Sequence, residues 1–207
     1  MLRPRIQSGL AHVGQALREP EEFALRWHSG DVDYPLWVWG ALLLTAMLGT
    51  STYGMTMGLL GGPHQVVLGA FKCTTAAGLA WGIALPALYI LNSLGGSRLR
   101  MSTTVLAALV TTSWGGLAMI ASIPINWFFT VSLPGIVSTA WVPAAVRLVN
   151  LVVFTGVGVS MSDVFGRVMA RLEPDRGRLP LWWLLVVGAI GTELFYAFGL
   201  FQFVMKP

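Results

Sequence analysis

Charge is what this sequence has least of. Only 11% of its 207 residues are Asp, Glu, Lys or Arg, whereas a soluble domain carries about a quarter. Runs of 38, 25 and 46 residues contain none, between Asp33 and Lys72, Lys72 and Arg98, and Arg100 and Arg147. A helix needs about 20 apolar residues to cross a bilayer. The short alternating segments of about ten residues that mark a transmembrane β-barrel are missing as well. The fold class that remains is an all-α integral membrane protein.

Other shortages narrow the chemistry. Cys73 is the single cysteine, which excludes an intramolecular disulfide and a cysteine-based metal cluster. The three histidines, His12, His28 and His64, lie outside the expected spans, so no imidazole base is expected at membrane depth. "GVGVSMSD" lacks the G-x-S-x-G spacing of a nucleophile elbow, and no H-E-x-x-H, Walker A or dinucleotide fingerprint occurs. The reading therefore assigns no catalytic residue, no metal and no cofactor, and expects no enzyme. No basic stripe interleaved with aromatics is present, so nucleic acid is not an expected partner. The first 30 residues carry charge throughout and lack the apolar centre of a signal peptide.

What is present divides into a polar segment, residues 1–33, and a membrane domain, residues 34–207. Within the first, Ile6, Leu10, Val13 and Leu17 recur at helical spacing among Arg3, Arg5 and Arg18. This predicts a short amphipathic helix lying on the membrane surface. "REPEEFALRW" reads as a second short helix. Pro20 is in its first turn, Glu21 and Glu22 favour its N-terminal dipole, and Phe23 and Trp27 are placed to anchor in the headgroups.

The membrane domain reads as about five spans. The first starts near Pro35 with Trp37 and Trp39 as interfacial anchors, and the second covers about 73–94, after a loop or short surface helix "GGPHQVVLGAFK". The third covers about 103–123, where Pro124 is expected to break it. The segment 124–146 is interfacial or re-entrant, with Trp127 and Asn126 in the outer belt. The fourth lies near 143–166. The fifth runs from about 180 to 203, with Trp182 and Trp183 as inner anchors. Lys and Arg number four in the N-terminal segment, two in the loop 95–102 and four in the loop 167–179, ten of thirteen in all. By the positive-inside rule the N-terminus is cytoplasmic and the C-terminus outside.

Three features stand out at membrane depth. Glu193 lies about 20 Å from the cytoplasmic edge at 1.5 Å per residue. An intramembrane acid is a functional candidate by default. One reading makes it part of an ion path in a channel or transporter component. The favoured one buries it in a helix-locking ion pair with Arg147 or Lys72, or as a protonated acid bonded to a neighbour such as Asn150. Asp163, nearer the cytoplasmic edge, is spaced to pair with Arg167. Small residues at four-residue spacing, Gly54 and Gly58, Gly78 and Gly82, and Gly156 and Ser160, mark helix-packing faces, expected mainly inside the bundle.

The stretch Phe71–Ser97 runs "FKCTTAAGLAWGIALPALYILNSLGGS", with Lys72 opening an apolar helix that ends in Pro86, Leu88, Tyr89, Asn92, Leu94 and Gly96. Together with "PINWFF" at Pro124–Phe129, it resembles a group of bacterial multi-pass membrane proteins, Yip1-like in layout. The resemblance covers about a third of the chain and implies a small bacterial inner-membrane protein of scaffold or accessory type. The expected partners are the lipid bilayer and other membrane subunits or a second copy of the chain.

Overall fold

The computed structural model describes residues 11–136, 141–176 and 182–200. Within them the chain is helical: α1 over 11–18, α2 Pro20–Ser29, α3 Leu36–Met57, α4 Pro63–Leu94, α5 Met101–Ile136, α6 Val142–Leu172 and α7 Trp182–Ala197. No strand occurs among the described residues. Four helices, α3 to α6, are long and apolar enough to cross a membrane, and α7 adds a fifth, shorter apolar helix. This is a multi-pass all-α membrane protein.

Two span boundaries differ from those the sequence suggested. The stretch expected as a loop before residue 73 is the first part of α4. Gly62, at φ +84°, turns the chain and its carbonyl accepts from the N–H groups of Gln65 and Val66. Pro63 then opens the helix, where its missing N–H costs nothing. At the other site α5 continues through Pro124 to Ile136 instead of stopping. A proline removes one rung of the helical ladder, which a membrane helix tolerates where neighbours cover the freed group. The 36 residues of α5 make it about 54 Å long, well beyond a hydrocarbon core of about 30 Å.

The helices run alternately up and down, so α3, α5 and α7 point one way and α4 and α6 the other. At the proximal end, Val13, Ala16, Phe23, Tyr34, Val38, Leu42, Leu106 and Val110 form one buried cluster. The apolar face of α1–α2, expected to meet lipid, is taken up by α3, α5 and α6. Phe23 is fully buried, stacked on Tyr34 at 4.1 Å, and Trp27 packs edge-on to Trp39. Ile6 and Leu10 lie outside the described residues. Glu21 also reaches Arg167 on α6 at 2.6 Å, which itself pairs with Asp163 at 3.1 Å. Toward the distal end, Tyr53, Met57, Cys73, Ala76, Met119, Val153 and Val157 form a second core.

Lipid-phase association depends on close backbone approach at small residues. A Cβ on Gly49 would collide with the backbone of Gly116, fixing the crossing of α3 and α5. One on Gly54 would collide with Gly69, and one on Gly58 with Gln65, fixing α3 against α4.

Candidate functional site

The interior holds a polar cluster where α3, α5 and α6 meet near the distal end. The Tyr53 hydroxyl donates to Asn150 Oδ1 at 2.8 Å, and Asn126 Nδ2 donates to the same oxygen at 3.1 Å. Asn126 Nδ2 also donates to Thr56 Oγ1 at 2.9 Å, while Thr130 donates to Asn126 Oδ1 at 3.3 Å. Asn150 Nδ2 completes the set by donating to the Val146 carbonyl at 2.9 Å. All five side chains are buried. Among the described residues no buried side-chain nitrogen or oxygen lacks a partner. A satisfied network of this kind fixes the mutual register of helices. Each of its side-chain nitrogens and oxygens has a partner within the protein.

A second polar group closes the proximal end. Arg176 donates to Asn92 Oδ1 at 2.6 Å and to the Gly95 carbonyl at 2.7 Å, and pairs with Glu173 at 3.2 Å. Glu173 accepts in turn from Ser97 Oγ at 2.8 Å and from the Arg98 backbone N–H at 3.1 Å. The α4–α5 loop is thereby tied to the C-terminal end of α6.

The third feature faces outward. Along α7 and the turn after it, Val187, Ile190, Leu194, Phe195 and Phe198 pack against the core, whereas Leu185, Gly188, Ala189, Thr192, Glu193 and Tyr196 are exposed. The two sets are opposite faces of one helix. Glu193 lies in the middle of the outer one. Gly191 packs against Ala80, at the middle of the 32-residue α4, so Glu193, two residues on, is within about 5 Å of the mid-height of the bundle.

This corrects the expectation for the charged residues. Glu193 is not buried in the protein and makes no ion pair or hydrogen bond among the described residues. Arg147 is exposed on α6 and Lys72 half-buried on α4. Lys72 is eight residues from Ala80, which puts it about 9 Å from Glu193 in height. Arg147 is seven residues before Phe154, whose ring touches that of Phe195, so about 13 Å away. The outward turn of α7 at position 193 explains why no pair forms. Asn150, the other suggested neighbour, spends its amide on Tyr53, Asn126 and Val146.

The small-residue pairs divide. Gly54 and Gly58 pack inside the bundle, while Gly78, Gly82 and Gly156 are exposed with open space where a Cβ would stand, and the Ser160 hydroxyl donates to the Gly156 carbonyl. Trp127 is 55% exposed, but Asn126, expected beside it in the outer belt, is completely buried. Trp37 is half-buried against His12, and the Trp39 indole donates to the Tyr34 carbonyl at 3.2 Å. The side chains of Trp182 and Trp183 lie outside what the structure describes. The sequence reading missed Tyr53, Thr56 and the joining of Asn126 to Asn150. The available signal was two asparagines isolated in apolar runs. Comparison of the chain with protein-family models, curated proteins and solved structures finds no match.

Proposed function

We propose that this protein is a non-enzymatic structural or accessory subunit that organises a larger membrane assembly. The observation that carries the reading is the inversion of polarity across the bundle. The interior hydrogen bonds are closed upon themselves, while Glu193, Gly78, Gly82 and Gly156 are turned outward. A chain that met only lipid would gain nothing from a carboxylate in that position, which costs about 2.5–3.5 kcal/mol at a bilayer centre on insertion scales. A chain that meets another helix there would.

In the same reading the protein sits in the bacterial inner membrane, as the resemblance of Phe71–Ser97 implies. The end bearing Arg26, Arg98, Arg100, Arg167, Arg171 and Arg176 is cytoplasmic, which fits the positive-inside rule. The test is purification from native membranes in a mild detergent. Stable co-purification of other membrane proteins supports the assignment. A lone monomer that passes ions in liposomes, with flux abolished by Glu193→Gln, replaces it with the transport reading.

A further inference from the structure

We infer that the outer face of α7, centred on Glu193, is the docking site for one transmembrane helix of a different protein that presents a Lys or Arg at mid-membrane depth. The inference rests on the accessory-subunit reading and assigns its contact surface. Two observations carry it independently. The first is electrostatic: Glu193 stands exposed at mid-height with no partner among the described residues. Hydrocarbon cannot supply one, and no described cation of the chain stands beside it. The second is steric. On the side toward the start of α7, Gly188, Ala189 and Thr192 present small side chains or none, so a partner backbone can approach closely there, with the larger Leu185 and Tyr196 bounding the patch.

Symmetry argues against a second copy as occupant. Copies related by an axis along the membrane normal keep every residue at its own depth. A second copy therefore brings another Glu193 to the level of the first. Its Arg147 and Lys72, the described cations nearest this height, stand about 13 and 9 Å from it in height. A chain of different sequence can place its cation at this height, which the described cations of a second copy do not. Arg or Lys suits the position because the bond is charge-assisted and about twice as strong as one between neutral groups.

The experiment uses the full-length protein in lipid vesicles, labelled for energy transfer to a synthetic helix of about 22 leucines and alanines with one central lysine. The expected result is binding at least tenfold tighter than that of the same peptide with leucine in place of lysine. Moving the lysine two turns toward either end, or replacing Glu193→Gln in the protein, should remove the advantage. A double variant, Glu193→Gln with Val152→Glu, moves the carboxylate to the exposed face of α6. It should not restore binding. Restoration would mean that any membrane carboxylate suffices, and would overturn the assignment of this face. Equal binding of both peptides overturns it as well, as does Glu193-dependent transfer between two labelled copies of the protein. If native co-purification succeeds while the peptide test fails, the accessory reading stands and only this surface is wrong. Failure of co-purification removes both.

Discussion

Replacing Asn150 by Leu tests how much the interior cluster holds the helices in register. Leucine keeps the branched shape but is bulkier than the carboxamide at this fully buried position, so an overpacking cost adds to the lost hydrogen bonds and the double-mutant cycle is needed to separate them. The Tyr53 hydroxyl loses its acceptor at 2.8 Å, and one Asn126 N–H loses its acceptor at 3.1 Å. Interhelical hydrogen bonds in membrane proteins contribute about 0.6 kcal/mol on average and at most about 1.7. Two of them give about 1–3 kcal/mol. The upper part applies if Tyr53 finds no other acceptor, since a stranded buried donor costs about 1–3 kcal/mol. The loss of the Asn150 bond to Val146 is local to α6 and adds little. The measurement is reversible unfolding in mixed micelles, carried out as a double-mutant cycle with Tyr53→Phe. The expected coupling between the two changes is about 0.6–1.7 kcal/mol. If Asn150→Leu is as stable as the parent and the coupling is zero, the cluster does not hold the bundle and the reasoning fails.

Gly49→Val should destabilise by about 1–3 kcal/mol, because the branched side chain collides with the Gly116 backbone where α3 crosses α5. Gly82→Leu, pointing into open space, should leave unfolding of the isolated protein within about 0.5 kcal/mol. Glu173→Ala removes the acceptor shared by Ser97, Arg98 and Arg176. Faster amide exchange and proteolysis at residues 95–100 are expected, with the distal end unaffected. Burial raises the Tyr34 phenol above its ordinary value of 10.0; Arg26 opposes this and Glu22 adds to it. Because the folded pKa exceeds the unfolded one, Tyr34 contributes stability fully below about pH 10 that is lost as pH rises through the folded pKa. Proximal-end unfolding followed against pH should show that loss, and Tyr34→Phe should flatten it.

The helical membrane class was readable because bilayer insertion writes itself into composition. A 46-residue run without charge has no place on the surface of a water-soluble domain. Helix ends were harder. Pro124 is a breaker in water, yet α5 passes through it, because its energetics depend on which neighbours cover the freed carbonyl. The orientation of α7 was harder still. Depth along a helix follows from counting residues, but rotation about the axis follows from which neighbour the helix meets. The height of Glu193 along its helix could therefore be counted, but the face on which it stands could not. The same limit hid the Tyr53–Asn150–Asn126 contacts, whose members are 24 to 97 residues apart. It also hid the inward role of Phe23 and Trp27, whose spacing suits a lipid surface as well as a protein one.

The ion pair between Glu21 and Arg167 bears on the order of synthesis. Arg167 leaves the ribosome 146 residues after Glu21, roughly 7–30 s later at typical elongation rates. During that interval α2 has no α6 to hold. The α2–α6 contact is thus a late one to form, and docking of α2 on the emerging end of α6 follows the insertion of α3 to α6 in alternating directions. A helix that closes only once α6 has arrived makes the correct topology of α3 to α6 visible at the membrane surface.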